Sequence, residues 1–280
     1  MALWAPQTPT ATLLLFPGRT EYVEKYGPAA GEFARAGLAT LAIDWRGQGL
    51  SGRLSPDPLS GHVMRFTDYQ QDVAAMVRTA DALDLPAPRH LLCHSMGGAI
   101  GLRALSRGLA VERVAFSAPM WGIALSPVVR PAAWAVSFAA SRFGFGGRYA
   151  PGTGGASYPN ATAFADNLLT EDPEQLAWLA GQVATYPELA LGGPSLQWLA
   201  QALGECRRLS RLRSPRHPCL TLLGTAERIV DTRAIHRRMR AWPDGRLMLI
   251  PGARHEALIE TPERRRTAFG ALRRHFAAAD

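Results

Sequence analysis

A serine at the junction of a predicted strand and a predicted helix carries the strongest chemical signal in the sequence. The run from residue 91 is apolar up to Cys93, and Ser95 is followed by Gly97 and Gly98. A serine on such a sharp corner exposes its hydroxyl, and the helix N-terminus offers free N–H groups where an oxyanion would form. The pattern G-x-S-x-G is met only at its second glycine, because Cys93 replaces the first. The alternative is an ordinary strand-to-helix turn with a capping serine.

A nucleophilic serine needs a base and a carboxylate that orients the base. Of the seven histidines, His255 alone combines a loop after a strand with a position before the last predicted helix. Glu227 lies just past the preceding strand and is the expected acid. Asp231 is the alternative, although it better fits a helix N-cap. The chain order Ser95, Glu227, His255 is the order of the triad in α/β-hydrolases, so the spacing predicts acyl transfer.

The elements that must position these residues alternate between strand and helix. Short apolar runs that end in Gly, Pro, Asp or Ser predict buried parallel strands at 11–16, 38–43, 89–94, 111–117, 218–223 and 246–250. Helical segments are predicted at 28–36, 66–83, 96–108, 232–242 and 262–278. Strands that alternate with helices indicate an α/β fold, a mostly parallel sheet flanked by helices.

The alternation breaks between residues 119 and 213. This stretch has aromatic residues among short apolar helices, with no convincing strand, and strand patterning resumes at Pro218. We therefore expect residues 1–118 and 214–280 to form the core and residues 119–213 to be a helical lid inserted over the sheet. A second small domain without a substrate role is the alternative.

At this point the sequence resembles the α/β-hydrolases related to monoacylglycerol lipases and bacterial lysophospholipases. The resemblance rests on residues 16–21 and 44–51, on the Ser95 and Glu227 segments, and on residues 252–256. It implies that the backbone N–H groups of Arg19 and Met96 form the oxyanion hole. Asp44 and the glycine-rich turn after it belong to the resemblance too, and we expect a structural role for them.

The sequence departs from the family pattern at three positions near the site. Pro17 and Gly18 stand where the family usually has His-Gly. Cys93 replaces the first glycine of the G-x-S-x-G pattern, and Glu227 replaces the aspartate that is usual in the family. None of these changes removes a catalytic atom. Little chain precedes Ala11, so we expect the outer antiparallel strands to be abbreviated or missing, or the true start to lie upstream.

Composition and charge limit the class of protein. Apolar residues make up 47% and charged residues 19% of the 280 residues, which is enough apolar surface for a large core. The net charge is +8, but the arginines are scattered rather than clustered in a stripe, so we expect no nucleic-acid partner. A weak attraction to anionic lipid or anionic substrate is the alternative to a merely solvated basic surface.

The cysteine count and the N-terminus bear on localisation. Three cysteines without a close pairing motif indicate a reducing compartment, and no basic residue precedes Arg19 as a signal peptide would need. We expect a cytoplasmic protein, with weak peripheral association at the inner membrane as a further expectation. No metal cluster or phosphate loop is visible, so no cofactor is expected.

The predicted reaction is serine ester hydrolysis through an acyl-enzyme. The apolar lid favours an acyl chain, and the family resemblance narrows the substrate to a monoacyl glycerolipid, either a lysophospholipid or a monoacylglycerol. The net positive charge favours the phosphate-bearing lysophospholipid over the neutral monoacylglycerol. The alternatives are a small-ester carboxylesterase or thioesterase with the same triad, and a non-catalytic binding protein on the same fold.

Overall fold

A computed structural model describes residues 1–157 and 163–277. Its centre is a seven-stranded sheet in the order β1-β3-β2-β4-β5-β6-β7. The strands are β1 (Ala2–Trp4), β2 (Ala11–Phe16), β3 (Leu38–Ala42), β4 (Arg89–His94), β5 (Val114–Ser117), β6 (Cys219–Gly224) and β7 (Gly245–Ile250). All neighbouring strands run parallel except β1, which is antiparallel to β3.

Helices pack on both faces of the sheet. In the described residues they are α1 (Gly27–Ala34), α2 (Tyr69–Ala82), α3 (Met96–Ser106), α4 (Val129–Arg142), α5 (Pro173–Thr185), α6 (Leu196–Leu209), α7 (Thr232–Arg240) and α8 (Pro262–Ala277). One apolar core joins the sheet to α2, α3, α6 and α7, and a second joins it to α1 and α8. The strands β2 and β3 are buried at every residue because both their faces are covered, which is why they read as continuous apolar runs.

The prediction of an α/β fold with a mostly parallel sheet is confirmed. All six predicted strands are present within three residues of their predicted ends. Helix α2 begins at Tyr69, because residues 66–68 form a separate 3₁₀ turn. The end of the last predicted helix, at residue 278, lies outside the described residues. The outermost strand, β1, has three residues and is the antiparallel strand of the sheet.

The stretch between β5 and β6 is helical where it is described. Residues 119–157 and 163–213 contain α4, α5 and α6 and no strand longer than an isolated bridge. Asp172 caps α5 by accepting hydrogen bonds from two backbone amides, and Ser195 caps α6 in the same way from Trp198. The two helices differ from α4, which buries only Ser137 and begins without a side-chain cap.

Candidate active site

Ser95 lies on the sharp turn that joins β4 to α3, here called the elbow (residues 94–97). Its backbone has φ 48° and ψ −117°, a conformation that residues with a side chain rarely adopt. The turn is held from both sides. The Ser95 N–H donates to the Ser117 carbonyl at 3.1 Å, and the Ser95 carbonyl accepts from Gly98 and Met120, each at 2.8 Å. The strained backbone therefore fixes the hydroxyl at the carboxyl edge of the sheet.

Glycines around this turn explain how strand and helix come so close. A Cβ on Gly97 would lie 2.1 Å from the Phe16 carbonyl oxygen, so the start of α3 packs directly on the end of β2. A Cβ on Gly101 would lie 2.3 Å from the Sγ of Cys93. The departure at Cys93 is thus accommodated one helical turn further on, where a glycine leaves room for the thiol.

His255 and Glu227 form a buried hydrogen-bonded pair. The His255 Nδ1 lies 2.7 Å from the Glu227 Oε2, and because a carboxylate only accepts, Nδ1 carries the proton and Nε2 is left as the basic nitrogen. The Glu227 Oε1 accepts from the backbone amides of Ile229 at 2.5 Å and Val230 at 3.1 Å. Burial raises the pKa of Glu227, but the contacts with His255 and these amides outweigh it, so the net pKa is lowered.

The alternative acid, Asp231, has the structural role that was expected for it. Its Oδ1 accepts from the backbone amides of Arg233 at 3.0 Å and Ala234 at 3.3 Å, which makes it the N-cap of α7. Its Oδ2 pairs with Arg130 at 3.1 Å. The geometry therefore assigns the carboxylate beside His255 to Glu227 rather than to Asp231.

The loop of residues 251–256, here called the histidine loop, is fixed by contacts with two other segments. A Cβ on Gly224 would lie 2.2 Å from the Ala253 carbonyl oxygen, so only glycine lets the end of β6 meet this loop. The backbone amide of His255 donates to Leu168 at 3.3 Å, and that of Glu256 donates to Leu169 at 2.9 Å. The segment between β5 and β6 thus helps to hold the histidine.

The elbow and the histidine loop meet at the same edge of the sheet. The ring of His94, directly before Ser95, lies 4.8 Å from the ring of His255, centroid to centroid. Ser95 and His255 are both buried, with 8% and 3% of their surface exposed. The structure therefore places the three predicted residues in one region, with the Glu227–His255 hydrogen bond formed and His255 packed beside the elbow.

Arg19 lies in the loop of residues 17–22 that follows β2, here called the β2 loop. Because β2 pairs with β4, this loop runs beside the elbow. In the part of the chain that the structure describes, the backbone N–H groups of Arg19 and Met96 donate to no protein acceptor. Two free amides on either side of the nucleophile's turn are the arrangement that an oxyanion hole requires.

Residues around Asp44 hold the β2 loop in place. Asp44 accepts from the backbone amides of Val23 at 2.8 Å and Leu50 at 3.0 Å. Trp45 donates its indole N–H to the Pro17 carbonyl at 2.9 Å, and Gln48 donates its side-chain amide to the Gly18 carbonyl at 2.8 Å. The expected structural role of this turn is consistent with these contacts, while Gln48 and Trp45 were not singled out from the sequence.

Four charged residues beside His255 were also missed by the sequence analysis. Glu21 in the β2 loop, Lys25, His94 and Glu256 are buried and in mutual contact, and we call them the charge cluster. The sequence offered a partial signal, because Glu21 ends the first family motif and Glu256 follows the histidine. Glu21 and Lys25 are four residues apart, the spacing of a local ion pair, but no spacing connects this pair to His94 and Glu256, so only the tertiary structure reveals the cluster.

The three cysteines are free, buried thiols. Burial raises the pKa of Cys93 well above its ordinary value, raises that of Cys206 to about 12, and also raises that of Cys219. A thiol with a raised pKa is a poor nucleophile at neutral pH. These cysteines therefore do not compete with Ser95 for the role of nucleophile.

A mostly parallel sheet with a serine elbow, and with a carboxylate and a histidine after later strands, defines an α/β-hydrolase. The chain belongs to the family described as serine aminopeptidase, S33, whose model matches residues 7–262. Among its solved structural neighbours is a soluble variant of monoglyceride lipase from Saccharomyces cerevisiae. That structure has a TM-score of 0.74 at 20% identity and covers 97% of this chain and 89% of its own.

Two curated bacterial relatives are similar over nearly the whole chain. Lysophospholipase L2 of Escherichia coli strain K12 is 35% identical over 271 residues, covering 93% of this chain and 78% of its own length. A probable lysophospholipase L2 of Haemophilus influenzae is 30% identical over 266 residues, covering 94% of this chain and 82% of its own. The resemblance inferred from motifs is thus confirmed across both halves of the sheet.

Proposed function

We propose that this protein is a serine hydrolase that cleaves the acyl ester of a monoacyl glycerolipid through Ser95, Glu227 and His255. The single observation that carries the proposal is the 2.7 Å Glu227–His255 hydrogen bond beside a strained serine elbow. The relatives named lysophospholipase L2 support the same reaction class. With an oxyanion hole, such a triad cleaves carboxylic esters with water as the second substrate.

The reaction follows from the placement of the protons. His255 Nε2 takes the proton of the Ser95 hydroxyl while its Nδ1–H donates to Glu227, and Oγ attacks the ester carbonyl. The backbone N–H groups of Arg19 and Met96 receive the developing oxyanion. His255 then gives its proton to the leaving alcohol, and water attacks the acyl-enzyme with His255 again as the base. Glu227 stabilises the imidazolium in both steps.

Replacement of the nucleophile tests this proposal. For Ser95→Ala we expect loss of at least about 10⁴-fold in kcat, because the covalent route disappears. The measurement is hydrolysis of a panel of lipid classes by the purified variant beside the wild type, with labelling by a fluorophosphonate probe as a second readout. Hydrolysis that persists in Ser95→Ala would sink the assignment, and a wild type that the probe cannot label favours a binding protein.

An apolar cavity supports an acyl chain as part of the substrate. It has a volume of about 760 Å³ between α4, α6 and α7, and its wall includes Trp121, Trp134 and Phe138. Trp121 follows Met120, whose backbone amide donates to the Ser95 carbonyl, and the three triad side chains are not among the residues that line this cavity. A pocket of this kind gains ~0.8 kcal/mol for each buried CH₂ group. A series of esters of increasing chain length therefore separates a lipid hydrolase, with kcat/KM rising with length, from a small-ester esterase.

The side chain of Arg19 favours a phosphate-bearing head group. Its Cζ lies 5.2 Å from the ring centre of Trp198, and its Nη2 donates to the Gly192 carbonyl at 2.5 Å. Its Nε is buried without a hydrogen-bond partner in residues 1–157 and 163–277, and no carboxylate there lies within ion-pair distance. Burial lowers the pKa of Arg19 to about 10, against smaller opposing effects of Tyr69 and Tyr149. A guanidinium without a counter-charge is suited to a substrate phosphate.

A head-group comparison tests this role of Arg19. We expect Arg19→Gln to lose about 10–100-fold in kcat/KM on a lysophospholipid and little on the monoacylglycerol with the same acyl chain. The substitution keeps the backbone N–H of the oxyanion hole. Arg240→Gln, at the exposed end of α7, is the matched control. Equal losses on both lipids would mean that the guanidinium only orders the β2 loop.

We further propose that residues 119–213 form a lid on a core of residues 1–118 and 214–280, and that α4 is the part that contacts lipid. Large apolar side chains of this region are exposed, among them Val128 at 86%, Phe138 at 67% and Phe143 at 73%. No acidic residue occurs between Glu112 and Asp166. An apolar, basic surface fits weak peripheral association with an anionic membrane.

The localisation follows the same proposal. None of the described helices combines the length and apolar character needed to cross a bilayer. Free buried thiols are compatible with a reducing compartment, so we retain the cytoplasm, with peripheral contact at the inner membrane, as the proposed location. Co-sedimentation with vesicles of anionic or zwitterionic phospholipid measures this contact directly.

A further inference from the structure

The charge cluster is a closed set of ion pairs directly beside the catalytic histidine. The Lys25 ammonium lies 2.6 Å from Glu21 Oε1 and 2.6 Å from Glu256 Oε1. The His94 Nε2 lies 3.2 Å and 3.3 Å from the same two oxygens. Each of the four residues is at most 5% exposed. Burying charges is costly unless they are paired, so such a set requires a reason.

Three of the four residues come from the segments that carry the proposed oxyanion amide, nucleophile and base, and Lys25 lies in the 3₁₀ turn Val23–Tyr26 directly after the β2 loop. Glu21 accepts a hydrogen bond from the Gly18 backbone amide in the β2 loop, next to Arg19, and another from the Tyr26 hydroxyl at 2.5 Å. His94 precedes Ser95 in the elbow. Glu256 follows His255 in the histidine loop. The ion pairs therefore connect the oxyanion amide, the nucleophile and the base, although these lie far apart in the sequence.

The protonation of His94 follows from its surroundings. Its Nδ1 lies 3.1 Å from the Ser117 carbonyl oxygen, which only accepts, so Nδ1 carries a proton. Its Nε2 makes no hydrogen bond of good geometry within the described residues, but the charge of the two nearby carboxylate oxygens favours a second proton there. Burial lowers the pKa of His94, but the two glutamates outweigh burial and raise it to about 10. With two cations and two anions, the cluster is neutral as a whole.

A metal ion is the other occupant that this geometry suggests. The ligand atoms of Glu21, His94 and Glu256 lie within 4.8 Å of one another, as in a small metal site. The Lys25 ammonium, however, already lies between the two carboxylates and supplies the positive charge. A doubly protonated imidazole also has no lone pair to offer a metal. The donor set is therefore that of a salt-bridge network.

We propose that the charge cluster of Glu21, Lys25, His94 and Glu256 positions the catalytic groups. Its ion pairs hold the β2 loop, the elbow and the histidine loop in the relative positions that catalysis needs, and they keep the net charge beside His255 at zero. This inference rests on the proposed function of Ser95 and His255. It assigns to Lys25, the only lysine of the chain, a role that requires both its charge and its buried position.

Neutrality matters because the base must lose its proton before it can activate the serine. The charged groups near His255 in the described residues include Glu227, His94 and Glu256. Glu21 and Lys25 pair with the last two, and the preceding residue, Arg254, is paired with Glu171. Removing one cation from the cluster leaves a net negative charge that stabilises the imidazolium of His255. Removing one anion leaves a net positive charge that destabilises it.

Two substitutions of opposite sign test the proposal. Lys25→Met keeps the chain length and removes a cation, so the acid limb of the pH profile should move to higher pH. Glu21→Gln removes an anion, so the acid limb of its pH profile should move to lower pH. We expect the two midpoints to differ by roughly one pH unit or more, as a unit charge at this kind of distance produces in a partly polar interior. The double variant Lys25→Met/Glu21→Gln restores neutrality and should return the midpoint toward the wild-type value.

The pH profile is measured as the rate constant of fluorophosphonate labelling, which does not depend on the fraction of protein that is folded. The kcat of each single variant should fall more than its KM rises, because the groups that act in the transition state are displaced. Glu32→Gln, which breaks the surface pair with Arg35 (2.7 Å), is the matched control and should keep the wild-type profile.

The outcomes separate this inference from the proposed function. Loss of labelling in Ser95→Ala with normal labelling of the wild type supports the function by itself. Equal midpoints in Lys25→Met and Glu21→Gln would overturn the positioning and charge-balance role, whatever the activity of the variants. If wild-type labelling survives in Ser95→Ala, the proposed function fails, and the inference fails with it.

Discussion

Charged side chains are buried at the catalytic edge of the sheet, whereas large apolar side chains are exposed along α4. Glu227, His255 and the charge cluster are each at most 9% exposed, while Phe138 and Phe143 are 67% and 73% exposed. Both regions reverse the usual distribution, and such reversals are the informative departures in a folded protein. At the edge, paired charges fix a geometry for chemistry. Along α4, the exposed apolar surface is the proposed site of contact with lipid.

The same comparison divides the segment between β5 and β6. Helix α6 packs Trp198, Ala202 and Leu209 into the apolar core that includes the sheet, and its buried Glu205 pairs with Arg103 of α3 at 2.7 Å. Helix α4 has no comparable buried face. Motion of the proposed lid should therefore be concentrated in α4, since opening α6 would break an apolar core and expose an unpaired charge.

The largest expected effect comes from the acid of the triad. Glu227→Gln should lower kcat by about 10⁴-fold, because the amide cannot stabilise the imidazolium or hold the correct tautomer. Asp231→Asn is the matched control: it alters the cap of α7, costs about 1 kcal/mol or less, and should retain activity. Steady-state kinetics on one ester decides between them. A larger loss in Asp231→Asn would mean that the wrong carboxylate had been assigned.

The pH dependence of stability tests the buried charges themselves. The pKa of His94 is raised from 6.5 to about 10. The contribution of protonated His94 to the free energy of unfolding is therefore fully present below pH 6.5 and is lost as the pH rises through about 10. The free energy of unfolding of the wild type should therefore fall by a few kcal/mol across this range, and more steeply than that of His94→Gln. Denaturant titrations at several pH values measure it. Parallel curves for the two proteins would contradict a protonated His94.

A smaller effect is expected for the exposed apolar side chains at the ends of α4. Val128→Ser/Phe143→Ser should lower hydrolysis of lipid in anionic vesicles by roughly fivefold to tenfold, since two exposed apolar side chains no longer enter the interface. Hydrolysis of a short soluble ester should stay unchanged. Leu83→Ser, half-exposed at the end of α2, controls for loss of surface apolarity in general. An equal loss on the soluble ester would place these residues in the substrate pocket instead.

The smallest effect is expected for an ion pair at the surface. Glu32→Gln should change the free energy of unfolding by no more than about 0.5 kcal/mol, because Arg35 is 69% exposed and solvent screens the pair. Lys25→Met should cost several times more, because it leaves buried carboxylates without their cation. Thermal unfolding of both variants at the same pH measures the contrast, and similar shifts would remove the distinction between buried and exposed pairs.

Much of the fold could be predicted from the sequence because its strands are buried on both faces. The run at 11–16 is apolar throughout, and it became β2 with the predicted ends. That Ser95, Glu227 and His255 lie at one edge of the sheet could be predicted because each follows a strand, and parallel strands bring their carboxyl ends to one edge. The start of α2 was placed three residues early, since a 3₁₀ turn and an α-helix share the same local sequence signals.

The charge cluster could not be predicted in this way. Glu21 and Glu256 are 235 residues apart, and a glutamate or lysine in a loop is normally solvated. The fit of Cys93 was equally hidden, because it depends on Gly101 across the turn. The exposure of Phe138 could not be predicted either, because an apolar helical pattern predicts burial and only the neighbouring elements show whether the helix is covered.

By itself the sequence determined the alternation of strands and helices, the order of serine, acid and histidine, and the family to which the chain belongs. These depend on local patterns, which are set by residue type and spacing along the chain. Only the tertiary structure decided which carboxylate meets His255, how Lys25 joins two glutamates to His94, and which helix of the insertion stays exposed. Each of these depends on contacts between residues distant in sequence, and the fold alone sets those distances and the burial that gives the charges their effect.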